Sequence, residues 1–180
     1  MTDSYLRPLR AEDSADIFAA FASHHDMERQ GSVTSESDAR AYLERALSSG
    51  YAFGVEVDGQ VVACVGLTVD APNRLAWCWY WTHADHRGAG LASRATRTVA
   101  NWALSEGGFE RLELGHRVNN PASGRVALAA GFVGEGLERK KLRIEGERVD
   151  VRTYGRLATD PVPTGTTLPA DTSTWPPLEA

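Results

Sequence analysis

The residues best placed to do chemistry are Arg87, Gly88, Ala89, Gly90, Leu91, Ala92 and Ser93, a cationic small-residue turn at the start of a helical pattern. Leu91, Ala95, Val99 and Trp102 recur at helix spacing, with Ser93, Arg94, Arg97 and Asn101 on the polar side. A helix start leaves unpaired N–H donors and a partial positive charge. Small residues there let a phosphate reach the backbone. Gly88 and Gly90 permit a sharp bend and Arg87 adds a full charge, so the turn reads as a pyrophosphate cradle. It is not a Walker loop, because no lysine follows the glycines. It is not a dinucleotide fingerprint either, because Ser93 stands where a third glycine belongs.

The stretch leading into the cradle, Trp77 to His83, is aromatic and strand-prone. Alternation puts Trp77, Trp79, Trp81 and His83 on one face. That face is either core beneath a helix or an aromatic wall that would draw a cation. Histidine suits base work near neutral pH, so His83 or His116 could act through water, with His83, next to the cradle, the first choice. The five histidines show no zinc spacing, and no metal is expected. Cys64 and Cys78 lie in apolar, strand-like stretches and read as buried thiols.

The elements that must position these groups follow from pattern and punctuation. A strand at 5–10 leads to Asp13 as a helix cap, with Ile17, Phe18 and Phe21 buried. Residues 23–33 are polar and irregular, a lid, an acceptor loop or a plain connection. Ser35 or Ser37 caps a second helix with Ala41, Tyr42 and Leu47 inward. Three strands follow as a meander, 51–57, 60–69 and 74–83, turning at Asp58-Gly59 and Ala71-Pro72-Asn73. The long helix ends at Gly107-Gly108, and a strand at 109–118 follows. Strand, long helix and strand imply a right-handed crossover and a parallel pair. Asn120-Pro121 opens a fourth helix, and a hairpin around Glu145-Gly146 closes the domain. The tail, 159–180, holds five of the eight prolines and six threonines. It reads as a flexible extension with Trp175 as its one possible anchor, leaving residues 1–158 as the single domain.

A length of 180 residues suits one domain, and the net charge of −5 gives no pull towards nucleic acid or anionic membrane. No apolar run approaches the ~20 residues of a membrane span, and the start lacks a signal-peptide shape. A cytoplasmic protein is expected.

Arg87-x-x-Gly90-x-Ala92 resembles the Gln/Arg-x-x-Gly-x-Gly/Ala signature of the GNAT superfamily of acyl-CoA N-acyltransferases. Asn120-Pro-Ala-Ser123, followed by Gly131-Phe132, is similar to a second block of that superfamily, closest to its RimJ/RimL-like ribosomal-protein branch. The resemblance covers residues 5–157, and the element order β-α-α-β-β-β-α-β-α-β-β is that of the GNAT fold, an α/β mixed sheet with two central strands splayed. It implies acetyl-CoA as acyl donor and a primary amine as acceptor, either a protein N-terminus or a small molecule. In that likeness the backbone of Tyr80, Trp81 and Thr82 pairs with the pantetheine arm. The amides of Gly88 to Ser93 hold the pyrophosphate, Asn120 and Ser123 face the thiol end, and Arg125 meets the nucleotide. Ser123 steadies the leaving thiolate, His83 relays the proton, and Trp77 and Trp79 meet the acceptor. Two departures stand out. Ala127 occupies the place of a frequent tyrosine acid, and Trp77 the place of a frequent glutamate. They leave open a non-catalytic acyl-CoA sensor or scaffold as the alternative. A homodimer is possible.

Overall fold

The computed structural model describes residues 4–179. Its elements are β1 (Ser4–Pro8), α1 (Ser14–Ala22), α2 (Glu36–Ser49), β2 (Ala52–Val57), β3 (Gln60–Asp70), β4 (Leu75–Thr82), α3 (Leu91–Ala103), β5 (Arg111–Arg117), α4 (Pro121–Ala129), β6 (Val133–Ile144) and β7 (Glu147–Leu157). The expected order of strands and helices is present, with short 3-10 turns between them. One seven-stranded sheet runs β1-β2-β3-β4-β5-β7-β6, antiparallel except where β4 and β5 pair in parallel.

Local chemistry explains the boundaries. Asp58 and Gly59 both take positive φ (51° and 82°), the geometry that joins β2 to β3 in a two-residue hairpin. The Ser35 hydroxyl accepts the Asp38 N–H at 3.1 Å to start α2, and Gly50 in the left-handed region ends it. The Asn120 side chain accepts the Ser123 N–H at 3.3 Å, and Pro121 opens α4.

The sheet separates two cores. On one face α3 and α4 bury Leu91, Ala95, Val99 and Ala127 against Phe53, Val65, Cys78, Leu112 and Leu114. On the other, α1 and α2 bury Ile17, Phe21, Ala39 and Leu43 with Cys64 and Trp81. Both cysteines are buried free thiols, and burial pushes Cys78 up to about 12.

Three expectations are corrected. Asp13 stands at the start of α1 but makes no side-chain cap. Its carboxylate, 3% exposed, instead takes a fork of two bonds from Arg7, at 2.9 and 2.8 Å, and the Arg10 N–H at 2.7 Å. Leu47 faces solvent, because Leu43 and Ala46 already fill the inward stripe of α2. The third concerns the tail, 159–180, whose described residues, 159–179, are not a loose extension but lie on the domain. Leu168 and Trp175 are 2% and 3% exposed within the α3-side core. The Trp175 ring sits 4.0 Å from Phe53 and 5.0 Å from Trp102. Backbone bonds tie Leu6 N–H to the Pro169 carbonyl and Leu178 N–H to the Gly107 carbonyl, both at 2.9 Å. Arg97 donates to the Thr166 carbonyl. The proline-rich composition hid this packing, because an extended chain rich in carbonyl acceptors is held by neighbours without forming its own elements.

Candidate active site

The site begins as a gap in the sheet. β4 and β5 pair only over Leu75–Trp77 with Arg111–Glu113. Beyond that point β5 stays with β7 as far as Arg117, and β4 stays with β3 as far as Thr82. The two strands therefore diverge, and the β4 edge from Cys78 to Thr82 offers backbone groups with no partner on β5. A cleft of about 540 Å³ opens there.

The cleft collects most of the expected residues. Tyr80, Trp81 and Thr82 line it from β4, and Asn120, Ser123 and Arg125 from α4 and its cap. Arg87, Gly88, Gly90, Leu91, Ala92 and Ser93 line it from the turn, while Ala89 sits in the turn without lining it. Gly88 and Gly90 take φ of 81° and 74°, and a β-carbon at either would meet nothing within 4 Å. The turn is thus in a conformation suited to glycine, with open space in front of it and the first amides of α3 behind. A pyrophosphate fits this cradle, and an extended pantetheine arm fits the β4 edge. Trp81 is 2% exposed and its Nε1 donates to the Tyr42 hydroxyl at 3.1 Å, so its indole belongs to the α1/α2 core.

Arg87 does not point a bare charge at the cradle. Its guanidinium forks onto Asp26 at 2.9 and 2.8 Å and touches the Met27 sulfur. The Asp26 carboxyl is held down to about 2, mainly by that pair. Asp26 belongs to a 3-10 turn, His25–Gln30, and Asp26, Met27 and Gln30 wall the cleft. The polar segment 23–33 is therefore a wall of the site and not a plain connection.

Sequence reasoning gave Tyr80 a backbone role and missed its hydroxyl. Tyr80 alternates with Trp79 and Trp81, so its ring turns to the α3/α4 face. There the hydroxyl hydrogen-bonds the Ser123 hydroxyl and reaches the Ser123 carbonyl at 3.2 Å. Burial raises its pKa, so the phenol stays protonated and remains a donor at neutral pH. The period-two pattern held this signal. Ala127, in the place of the missing tyrosine, is fully buried.

Three other expected site residues are not brought to the cleft. His83 does not line it. Its Nδ1 accepts the Asp85 N–H at 3.2 Å and caps the short turn 84–86. Trp77 lies on Gly115, where a β-carbon would come within 2.9 Å of the indole. Trp79 lies on Gly66, where the distance would be 2.1 Å, and lines a separate cavity of about 590 Å³ with Tyr42 and Arg45. Both rings use glycines as seats on the sheet. His116 is buried as well. Its Nδ1–H donates to the Arg117 carbonyl at 2.7 Å, which leaves Nε2 to accept from the Tyr154 hydroxyl at 3.0 Å. Among the described residues no three or more His, Cys, Asp or Glu side chains are grouped to hold a metal ion. No helix among them is long and apolar enough to cross a membrane.

Residues 4–133 match the acetyltransferase (GNAT) domain family. The chain belongs to the GNAT acetyltransferases. It is 28% identical over 131 residues to the ribosomal-protein-serine acetyltransferase of Escherichia coli, covering 69% of this chain and 73% of that one. It is 28% identical over 171 residues to the probable N-acetyltransferase YjcK of Bacillus subtilis, covering 87% and 94%. Among solved structures, the ribosomal-protein-S5-alanine acetyltransferase of Vibrio fischeri superposes with a TM-score of 0.79 at 19% identity, covering 89% of this chain and 96% of that one. RimL, a ribosomal L7/L12 α-N-protein acetyltransferase solved with coenzyme A, gives 0.79 at 21% identity, covering 87% and 95%. This GNAT chain is thus an acetyl-CoA-dependent N-acetyltransferase whose acceptor is an amine, and it is similar to acetyltransferases of the RimJ/RimL kind.

Proposed function

We propose that this acetyltransferase acts in the cytoplasm on the α-amine of a peptide or protein N-terminus, with Tyr80 and Ser123 as the donors at the reacting end of the cleft. The observation that carries the reading is the Tyr80–Ser123 hydroxyl pair, set where β4 and β5 part. Bound acetyl-CoA supplies a thioester whose C–S bond breaks as the amine nitrogen forms the amide bond, leaving the electron pair on sulfur. The amides from Gly88 to Ser93 hold the phosphates, and the β4 edge aligns the arm. When Tyr80 donates to the Ser123 oxygen, the Ser123 hydrogen is left to turn into the cleft. The pair then presents one oriented donor to the sulfur. A free thiol of this kind titrates near ~8.5, so a hydrogen bond steadies the thiolate without full protonation. Backbone N–H groups near Thr82, which lines the cleft, would hold the carbonyl oxygen as its charge develops. The amine attacks only as the free base, and with His83 engaged as a cap its proton leaves to water.

The peptide reading is supported by the relatives that acetylate ribosomal proteins. It is also supported by the wall at 25–30, which meets the β6–β7 hairpin through Arg29 and Glu145 at 2.9 Å and frames one side of the cleft. The test is thiol release from acetyl-CoA with short peptides, followed by mass spectrometry to locate the acetyl group. Acetyl on the α-amine supports the reading. Transfer only to lysine side chains or to non-peptide amines overturns it.

A further inference from the structure

Arg117 ends β5, where that strand has left β4. Its neighbour His116 turns to the α4 side, a β-carbon at Gly124 coming within 2.7 Å of the His116 ring. Alternation sends Arg117 to the opposite face, the one that carries Trp77, Trp79 and Trp81. It lines the cleft beside Asp26, Gln30, Asn120 and Ser123. Arg117 is therefore in the same cavity as the reacting end but comes from the face opposite the cradle. That is the side from which an acceptor can approach a thioester held along β4.

The charges around Arg117 are unbalanced. The acidic groups near it are Asp26 and Glu145, and both are taken. Asp26 is forked by Arg87 and also contacts His24 at 3.0 Å, while Glu145 is bound by Arg29. Arg29 itself adds a like charge. Among the described residues the NH1 atom of Arg117 is buried with no hydrogen-bond partner. A buried guanidinium N–H without an acceptor is costly, and burial lowers the pKa of this group. The site thus holds a cation with a vacant donor and no acidic side chain left to meet it.

We propose that Arg117 binds an anionic oxygen group, carboxylate or phosphate, carried by the acceptor alongside its amine. This rests on the reading of the cleft as the transfer site and narrows the acceptor class. For a peptide it means an acidic side chain close behind the N-terminus. A planar guanidinium matches either anion with two parallel bonds. The anion fixes the acceptor at one end while its amine is turned towards Ser123.

Matched acceptors test this on the full-length protein. One pair is Ser-Asp-Ala-amide against Ser-Asn-Ala-amide, and the other is phosphoethanolamine against ethanolamine. In each, kcat/KM is measured by thiol release, and Kd by calorimetry into the CoA-loaded protein, so that preference is read whether or not transfer is fast. The wild type should favour the anionic member of at least one pair by about tenfold or more, as expected for a charge-assisted bond. A preference in the peptide pair assigns the anion to a side-chain carboxylate, and one in the other pair to a phosphate. Arg117→Met should bring that ratio close to one while CoA affinity stays, and Arg117→Lys should restore part of it. Equal use of both members by the wild type, or a preference that survives in a folded Arg117→Met protein, overturns the proposal. A binding preference without transfer to any peptide upholds Arg117 and overturns the peptide reading instead.

Discussion

Replacing Trp175 by alanine should destabilise the domain severely, although the residue lies in a segment of proline and threonine far from the site. The side chain is 3% exposed and packs on Phe53 and Trp102 with ring centroids at 4.0 and 5.0 Å. Removing a fully packed indole costs about 3–5 kcal/mol. One term works the other way. Trp175 Nε1 is buried without a hydrogen-bond partner among the described residues, and such an orphaned donor costs about 1–3 kcal/mol. Alanine relieves that cost, so the low end, about 3 kcal/mol, is the expected loss. At about 2–4 °C per kcal/mol for a chain of this size, Tm falls by roughly 6–12 °C. Phenylalanine at the same position keeps an aromatic ring and drops the orphaned N–H, so it should recover most of the loss. Calorimetry and urea unfolding of the three proteins decide the matter. A Trp175→Ala protein melting within about 1 °C of wild type would refute the assignment of Trp175 to the core.

Gly90→Val should weaken CoA binding by more than tenfold, roughly the loss of one phosphate contact plus strain at a positive φ. Calorimetry on the folded variant reads this, and unchanged affinity would remove the cradle. Asp26→Asn tests the link between the wall and the cradle through its pH dependence. Asp26 titrates near 2 in the folded protein against 3.8 in the unfolded chain, so its carboxylate stabilises the fold fully above about pH 4. That contribution is lost as pH falls from 3.8 towards 2. The deficit of Asp26→Asn should therefore be largest at neutral pH and shrink below about pH 4, and a deficit independent of pH would show that the Arg87 pair contributes nothing.

Much of the fold was legible because the chain marks its own turns. Asp58-Gly59, Asn120-Pro121 and Glu145-Gly146 each delimit elements found where the pattern put them. The turn at 88–90 and the start of α3 were legible because small residues directly precede a helical pattern. What alternation alone could not settle was which of two chemically able faces serves the site. The aromatic run drew attention to Trp77 and Trp79, whose indoles lie on Gly115 and Gly66, glycines more than ten residues away in the chain. The hydroxyl that meets Ser123 in the cleft is on the residue between the tryptophans of that run, Tyr80. The ion pair that occupies Arg87 joins positions 26 and 87, and no local pattern announces a contact of that separation. His83 is near the turn in sequence and of a type suited to base work, yet its Nδ1 is spent on the Asp85 N–H. The packing of the tail is not legible in its composition, which measures the capacity to fold alone, whereas Leu168 and Trp175 join the core on the α3 side, with Trp175 against Phe53 of β2 and Trp102 of α3.

The most direct test of the central claim is a double-mutant cycle on kcat, at saturating acetyl-CoA, for Tyr80→Phe, Ser123→Ala and the two together. The account predicts a loss of roughly ten- to hundredfold for each single change, with CoA Kd almost unmoved. Because the two hydroxyls share one hydrogen bond, the double variant should be scarcely slower than the slower single one. Wild-type kcat in Tyr80→Phe, or losses that simply multiply in the double variant, would contradict it.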